Sequence, residues 1–533
     1  MVRQGERSLP AACYVWCASG ALVYGALALW ALGVKDSPFF GYNLYETLWL
    51  RLAEEGRLDV PIRVIGAEGH YRPDGTAFAY NGMAPMVTRA LAWPFVDLRT
   101  LSLGLPTVVA FGWLGSVFYL RAFAERLAAL DAPPARRRTM LHLVAAMVFL
   151  IAPGPLLMAN TALYTEGIAV AWAMGGIAFW ALARVAAGAR GALWAVPIVG
   201  AVAAVTVHAR PHVAIVLYAT TLALMALALW RARRAGGGRM PPWQTLRPVV
   251  LTLALMGLAG GLILAANTIR AGSPLVLSGA PSPGALQYGS VFWQFEGQTE
   301  IRALTWTEMG TFNLRRVPAN AVIYAADHTV ASSLLSRGVW TAQTWLRGAT
   351  GAGWVRVELP LYGAALIWTP WLVLAVVGAW RWLRGQAGMA DRAAAGVLAL
   401  FCLGAAVFML SYMTVTARYM AELWPALALG ALGALPWLAA TSVPSLTRGL
   451  GLTMAVAAVF MIQEVRLLPY KHRASDGLAD WTVAGCELVA ARKGLAADWR
   501  ARACAEPPWM AGSVTAETLA GALADARARA DAN

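Results

Sequence analysis

Charged residues are scarce in this sequence. Only 13% of its 533 residues are Asp, Glu, Lys or Arg, whereas 59% are hydrophobic and 24 are tryptophan. Soluble domains normally carry charge on about a quarter of their residues. The shortage excludes a soluble globular protein of this length and predicts a polytopic membrane protein instead.

Motifs for handling soluble nucleotides are absent as well. The chain has no GxxxxGK[ST] phosphate loop, no Asp-x-Asp pair and no GxSxG turn. These absences argue against nucleotide hydrolysis, against a metal-held nucleotide sugar and against a serine nucleophile. A hydrophilic donor from the cytoplasm is therefore hard to accommodate, whereas a lipid-linked donor within the outer leaflet is easy to accommodate.

Cysteine is the third scarce feature. The chain has five, with no CxxC pair and no Cys/His cluster, so the sequence indicates neither a divalent metal nor another cofactor. Cys486 and Cys504 lie 18 positions apart in the C-terminal tail, which we place outside the membrane. In an oxidising compartment such a pair can close a disulfide. The alternative is two unpaired thiols in a cytoplasmic tail.

Long apolar stretches, in contrast, recur along the whole chain. Each can cross about 30 Å of hydrocarbon as a helix of roughly 20 residues. We predict an all-α polytopic membrane protein with about 11 transmembrane helices. The predicted spans are residues 11–34, 101–120, 140–158, 167–183, 191–207, 213–230, 249–266, 359–380, 393–413, 423–440 and 449–462.

Arginine clusters orient these spans, because short cytoplasmic loops are enriched in Lys and Arg. The clusters occupy residues 121–138, 184–190, 231–247 and 381–392. The N-terminus is then cytoplasmic, and the long loops 34–100 and 267–358 lie outside with the soluble tail 466–533. The net charge of +15 is accordingly a topology signal, not evidence for nucleic-acid binding. We expect a multi-pass protein of a bacterial cytoplasmic membrane, with one membrane domain over residues 1–465.

The first external loop opens with an amphipathic pattern. Leu44, Leu48 and Leu52 repeat at four-residue spacing, with polar residues elsewhere around the turn. This pattern is typical of a helix that lies on a membrane surface. We expect both long loops to carry such surface helices.

A turn-rich stretch follows in the same loop, "EGHYRPDGTAFAYNGMAP" at residues 68–85. Its glycines and prolines impose turns. Tyr71, Asp74 and Tyr80 supply polar groups, and tyrosine offers both an apolar face and a polar tip. The stretch is therefore expected to re-enter and roof a binding site for a sugar or a headgroup.

Ionisable residues gather at the outward ends of several predicted spans. They are Glu166, His208, Arg210, His212, Arg418 and Glu422. Each alone is consistent with an anchor that reaches for the membrane surface. Short outward turns should avoid arginine, however, which singles out Arg210 and Arg418. Zinc at the two histidines is disfavoured, because Pro211 lies between them and no third ligand is near.

These features together resemble the GT-C superfamily of integral-membrane glycosyltransferases, which use polyprenyl-phosphate sugars on the outer face of the membrane. The resemblance spans about residues 11–465 and rests on the number of spans and on the long first external loop. It also rests on three motifs in order, "GHYRPDGTAFAYNGMAP", "YTEG" and "RYMAELWP". The last is similar to the Arg-Tyr-x-x-x-x-x-Pro element common late in such chains.

The resemblance implies roles for particular residues. A carboxylate beyond the first span would accept the proton of the acceptor hydroxyl. Where many members have an acidic residue in a Gly-Tyr-Asp setting, this chain has Asn43, so the base is sought at Asp36 first and Glu46 second. Arg210 and Arg418 would bind the donor phosphate and stabilise its developing charge.

Further residues would contact the sugar or the acceptor. Glu166 would orient an arginine or the acceptor. The full set of these candidates is Asn43, Tyr71, Asp74, Tyr80, Glu166, His208, His212, Tyr419 and Glu422.

The predicted function is transfer of a sugar from a polyprenyl-phosphate donor to a glycan, lipid or protein acceptor of the cell envelope. Its partners would be membrane lipid, the lipid-linked sugar and the acceptor, with no nucleic acid. One alternative is a flippase or carrier of lipid-linked saccharides, but a carrier should have charged residues at mid-span, where this chain has almost none. A second alternative is a polymerase or ligase of envelope polysaccharides, which would also use outward arginines.

Overall fold

The structure is a computed structural model in which most of the chain can be described. The described residues are 11–35, 44–60, 69–71, 77–79, 82–99, 101–158, 163–239, 241–275, 310–326, 333–351, 355–358, 362–441 and 444–471.

Helices dominate this part of the chain. In chain order they are α1 (Ala11–Lys35), α2 (Leu44–Glu55), α3 (Met86–Ala92), α4 (Gly104–Ala128), α5 (Pro134–Ile151), α6 (Pro153–Met158), α7 (Leu163–Ala186), α8 (Ala192–Thr206), α9 (Pro211–Ala235), α10 (Trp243–Ala271), α11 (Val317–Ala326), α12 (Ser333–Thr350), α13 (Ala364–Ile367), α14 (Thr369–Leu383), α15 (Arg392–Ser411), α16 (Met420–Ala440) and α17 (Pro444–Lys471). Five short strands complete the fold: β1 (Asp59–Val60), β2 (Gly69–Tyr71), β3 (Ala77–Ala79), β4 (Val355–Glu358) and β5 (Thr414–Thr416).

A helix lies at each of the eleven predicted spans, but their lengths differ. Within the described residues, nine helices are long and apolar enough to cross a membrane, with α5 and α6 counted as one. The predicted span 191–207 corresponds to α8, which has only 15 residues. The predicted span 359–380 is divided between α13 and α14, which has Pro370 in its first turn. Proline supplies no backbone N–H, so it suits a helix start and not a helix interior.

Proline also divides the third span. Ala152 adopts an extended conformation between α5 and α6, as residues before a proline prefer, and Pro153 then begins α6. The polytopic helical architecture predicted from hydropathy is therefore present. Nine described helices are long and apolar enough to be spans, compared with the eleven spans predicted.

Aromatic side chains seal the interior of the bundle. Trp424 of α16 is fully buried, and its ring centroid lies 4.6 Å from that of Trp371 and 5.6 Å from that of Trp368. Tyr119 and Trp172 complete the group from α4 and α7, with ring centroids 4.6 Å apart. Edge-to-face and offset arrangements of this kind favour aromatic packing. The group forms a close-packed aromatic core. Its central residue, Trp424, follows Glu422 by two positions in α16.

The arginine-rich connections meet at one end of the bundle. Arg126, at the end of α4, donates to the carbonyl oxygens of Ala387 and Gly388 between α14 and α15, at 3.1 and 2.7 Å. Arg231 of α9 pairs with Asp391 at 2.5 Å. The connections that charge patterning assigned to one membrane side thus lie at the same end of the molecule.

The described segments of both long loops lie at the opposite end. Strands β1, β3 and β2 form an antiparallel sheet in that order, and β4 pairs in parallel with β5. Sequence analysis had anticipated α2 but neither sheet, because strands of two to four residues carry no measurable periodicity. These strands tie both long loops to the ends of the apolar helices.

Two glycines bring α14 and α16 into unusually close contact. A Cβ atom added at Gly378 would lie 1.7 Å from the carbonyl oxygen of Gly430, which is backbone and cannot rotate away. We predict that Gly378→Ala lowers the stability of the bundle by at least about 2 kcal/mol, the upper range for an overpacked core. Thermal unfolding in detergent micelles measures the change.

Gly257→Ala on α10 is the matched control, because an added Cβ there meets nothing within 4 Å. Its unfolding temperature should equal that of the natural protein or slightly exceed it, since alanine is the better helix former. Equal stability of both variants would contradict the close contact.

Candidate functional site

Arg89 lies in a buried ion cluster at the end of the bundle opposite the arginine-rich connections. The side chain of this α3 residue is fully buried, and its Nε donates to Glu46 Oε1 of α2 at 2.9 Å. Its Nη2 donates to Glu166 Oε1 of α7 at 3.1 Å, and Nη1 pairs with Glu166 Oε2. One guanidinium therefore links the surface helix, the short helix α3 and a membrane-spanning helix.

The cluster satisfies further polar groups around it. Arg89 Nη1 also donates to Thr107 Oγ1 at 3.0 Å, and the backbone N–H of Leu103 donates to Glu46 Oε1 at 2.6 Å. Burial lowers the pKa of Arg89, but the charges of Glu166 and Glu46 more than offset it, so its pKa lies above the usual range. Arg89 is therefore a permanent cation.

Glu46 is thus enclosed in a way that favours a structural role. It is fully buried, its Oε1 accepts from Arg89 and Leu103, and its Oε2 is buried without a hydrogen bond to the described residues. A base must reach an acceptor hydroxyl directly or through one water. The geometry makes Glu46 a weak second choice for the base.

Glu422 forms a second cluster beside the first. This residue lies in the first turn of α16, and its Oε1 accepts from Arg210 Nε at 2.6 Å. Its Oε2 lies 2.6 Å from His212 Nε2. Arg210 immediately precedes α9 and His212 lies in its first turn. Three of the predicted site residues are therefore brought together from two helices.

Arg210 is held on two sides, but its terminal nitrogens are not engaged. Its guanidinium carbon lies 4.7 Å from the ring centroid of Tyr419, while Glu422 binds Nε. Neither terminal nitrogen hydrogen-bonds to any residue that the structure describes, and 16% of the side-chain surface stays exposed. Burial lowers the pKa of Arg210. The charge of the adjacent Glu422 raises it by a larger amount, so the pKa lies above the usual range.

Arg418 lies next to the same tyrosine. Its guanidinium carbon is 5.6 Å from the Tyr419 ring centroid. The two arginines predicted as phosphate contacts therefore both lie near one aromatic ring. Cations gain energy over an aromatic face, and stacking also restricts the orientation of the guanidinium plane.

Aromatic rings line the other side of the second cluster. His212 lies parallel to Tyr412 at a centroid distance of 6.4 Å, and Phe312 lies 5.2 Å from Tyr412. Phe312 is positioned by the pairing of residues 311–313 with residues 411–413, in which Met413 N donates to Thr311 O at 3.0 Å. The middle of the loop 267–358 thus contributes to the site.

The turn-rich stretch of the first loop docks on the turn that carries Arg210. Ala84 N donates to His208 O at 2.7 Å, and a Cβ atom at Gly82 would lie only 2.3 Å from the same oxygen. Glycine is therefore required where the two backbones touch. Residues 82–84 of the stretch therefore lie directly against the turn that carries Arg210.

The two histidines of the turn face different partners. His212 contacts Glu422, whereas His208 is influenced by Arg270 at the end of α10. Burial lowers the pKa of His208, and the charge of Arg270 lowers it further, so this imidazole is neutral near pH 7. The two side chains do not converge on one position.

Tyr45 connects the two clusters. Its ring centroid lies 5.4 Å from the guanidinium carbon of Arg89, and the charges of Glu166, Arg210 and Arg270 also act on its hydroxyl. Burial, the largest influence, raises the pKa of Tyr45. A continuous band of ionisable groups therefore spans this end of the bundle.

Several buried polar residues at this end of the bundle were not predicted from the sequence. Arg89, Arg270, Arg316 and Asn320 are all buried there. Asn320 Nδ2 donates to the carbonyl oxygens of Leu410 and Tyr412, at 2.8 and 3.0 Å. The only sequence signal for these residues was their position in or beside the two long loops. No spacing or motif distinguishes the buried arginines from exposed arginines such as Arg315.

Other predicted site residues fall elsewhere. Tyr71 ends strand β2, and nothing further is described for its side chain. The predicted residues outside the described part of the chain are Asp36, Asn43, Asp74, Tyr80, Cys486 and Cys504.

Replacement of Arg89 tests the structural role of the first cluster. We predict that Arg89→Met destabilises the protein by about 3–5 kcal/mol, because two buried carboxylates lose their common cation. The measurement is thermal unfolding in detergent. Arg99→Met is the control, since Arg99 is 55% exposed in its pair with Glu54 and should contribute less than about 1 kcal/mol. Similar unfolding temperatures for the two variants would contradict this role.

Comparison with known proteins gives two structural likenesses. No protein-family model and no curated protein matches the sequence. The crystal structure of the Archaeoglobus fulgidus oligosaccharyltransferase in the apo form matches at 13% identity with a TM-score of 0.46, over 86% of this chain and 56% of that chain. The structure of the same enzyme tethered to an acceptor peptide with the NVT sequon matches at 10% identity and a TM-score of 0.41, over 85% and 55% of the two chains. This chain spans little more than half of that enzyme's length, and at these values neither likeness assigns it to a family.

Proposed function

We propose that the protein transfers a sugar from a polyprenyl-phosphate donor to a glycan, lipid or protein acceptor on the outer face of a membrane. Arg210 and Arg418 bind the phosphate of the donor. The acceptor hydroxyl attacks the anomeric carbon, and a carboxylate of the first external loop accepts its proton. The proposal extends the sequence resemblance to GT-C glycosyltransferases.

The observation that carries the proposal is the geometry of Arg210. Glu422 holds Nε, and Tyr419 lies against the guanidinium, which leaves the two terminal nitrogens without partners among the described residues. A guanidinium in this state offers a fixed pair of donors that matches two phosphate oxygens. Arg89, which joins three helices, has both of its terminal nitrogens engaged instead.

The surroundings favour a donor with an apolar tail. Below Arg210 and His212, helix α9 presents Ile215 and Leu222, each 51% exposed. On the neighbouring helix α15, Leu403 and Val407 are also exposed. A phosphate at the polar end would therefore adjoin an apolar surface suited to hydrocarbon, which a soluble nucleotide sugar does not require.

The charge distribution supports an enzyme over a carrier. Glu166, Arg210, His212 and Glu422 lie at the starts of α7, α9 and α16. Below them the aromatic group around Trp424 closes the bundle. A carrier of lipid-linked saccharides needs a polar path through the membrane, and the sealed core offers none at this position.

Reconstitution with radiolabelled donors tests the function. The protein in liposomes is offered a panel of polyprenyl-phosphate sugars with an envelope extract as acceptor. Transfer of label from lipid to acceptor is the expected result. Movement of the labelled lipid between leaflets without transfer would contradict the proposal and support a carrier.

Substitution of Arg210 tests the donor contact. We predict that Arg210→Lys weakens donor affinity by about tenfold or more, because an ammonium cannot provide two parallel hydrogen bonds. Lys can still pair with Glu422, so the unfolding temperature should change little. Arg315→Lys is the control, since Arg315 is exposed at the same end of the molecule. Unchanged donor affinity in Arg210→Lys would reduce Arg210 to a helix anchor.

Substitution of Asp36 tests the base. Asp36→Asn is nearly isosteric but cannot accept a proton, so turnover should fall by about 10²- to 10⁴-fold with donor affinity retained. Asp97→Asn, an exposed carboxylate of the same loop, should retain turnover. If Asp36 only caps a turn, asparagine caps equally well and the variant stays active. The base would then be sought at Asp74, because Glu46 and Glu166 are both paired with Arg89.

A further inference from the structure

One nitrogen of His212 has no function in the fold. Its Nε2 lies 2.6 Å from Glu422 Oε2, whereas its Nδ1 hydrogen-bonds to none of the described residues. The side chain keeps 15% of its surface exposed. An imidazole that served only to tie α9 to α16 would need the Nε2 contact alone.

Glu422 determines which nitrogen carries the proton. A carboxylate only accepts hydrogen bonds, so Nε2 is the donor and the neutral ring keeps Nδ1 as an acceptor. When the imidazole is protonated, Nδ1 becomes a donor as well. His212 can therefore present a proton at Nδ1 without releasing its contact to Glu422.

The local field favours an anion at this position. Arg210 and Arg418 both flank Tyr419, and Glu422 is the one carboxylate in contact with His212 or Arg210 among the described residues. Helix α9 begins at Pro211 without a side-chain cap, so its first-turn N–H groups add partial positive charge. A group bound beside His212 is favoured if it is negatively charged.

The geometry points to His212, oriented by Glu422, as a third ligand of the donor phosphate and as the group that gives a proton to it. This assignment rests on the proposed function. Within it, Glu422 is a positioning residue that fixes both Arg210 and His212 with its two oxygens.

The assignment also balances the proton in the transfer. The acceptor oxygen forms a bond to the anomeric carbon, the bond from that carbon to the phosphate oxygen breaks, and its electron pair stays on the phosphate. The acceptor's proton goes to the carboxylate base, and the Nδ1 proton of His212 goes to the phosphate oxygen. The products are the glycoside and polyprenyl hydrogen phosphate, and His212 regains a proton from solvent as the base releases one.

Binding of a phosphodiester at different pH values provides the test. The probe is farnesyl methyl phosphate, whose single negative charge does not change between pH 5.5 and pH 8. Its affinity for the full protein in detergent therefore reports only protein ionisation. The charged or titratable groups around His212 are Glu422, Arg210, Arg418, Tyr412 and Tyr419. Only an imidazole normally titrates in this interval.

We predict that the natural protein loses about tenfold in affinity for this probe as pH rises from 5.5 to 8, the contribution of a hydrogen bond to a charged group. In His212→Gln the amide nitrogen can still donate to Glu422 but no proton can appear at Nδ1. The variant should bind weakly at pH 5.5 and show no dependence on pH. His208→Gln is the control for the second imidazole of the turn and should keep the dependence.

The outcomes separate the two proposals. A pH dependence that persists in His212→Gln, or equal affinities of the two proteins at pH 5.5, would overturn the assignment of His212 and leave the proposed function standing. Failure of the natural protein to bind the probe at any pH would overturn both. Thermal unfolding of His212→Gln at the natural temperature confirms that the Glu422 contact remains.

Discussion

The salt bridge of Arg89 with Glu46 and Glu166 is the interaction on which the site end of the structure depends. Two carboxylates and one guanidinium are buried there. Removal of any one of them would leave an uncompensated buried charge. Because Glu46 belongs to the surface helix and Glu166 to a membrane-spanning helix, the cluster attaches the first external loop to the bundle. Gly82 and Ala84 of that loop are then placed against the turn that carries Arg210.

The contrast between Arg89 and Arg210 distinguishes structure from function at this end. Both are arginines paired with glutamate in a largely desolvated setting. Arg89 donates from all three of its nitrogens to protein, whereas Arg210 donates only from Nε within the described residues. A cationic group that is fixed but not saturated has a surplus of donors, and a phosphate can use them. The same surplus exists at Nδ1 of His212.

The arginines at the opposite end of the bundle join its connections. Arg126 does so with Ala387 and Gly388, and Arg231 does so with Asp391. Arg121 and Arg184 pair with Glu125 and lie against Trp180. Charge patterning explains why these residues are arginines, since they hold the connections on one membrane side. Arg210, His212, Arg418 and Glu422, which we propose as donor ligands and their positioning group, lie at the other end.

The sequence by itself determined the apolar helices, the amphipathic helix α2 and the common end of Glu166, Arg210 and Glu422, because these follow from hydropathy, periodicity and charge bias along the chain. Only the tertiary structure decided which charges pair. Arg89 meets residues 43 and 77 positions away, and Arg210 meets one 212 positions away. Such partners depend on which helices pack together and how each is rotated, and no local pattern encodes that. For the same reason, the role of Arg89 could not be recognised in the sequence. The availability of His212 Nδ1 likewise follows only from the contact between His212 Nε2 and Glu422.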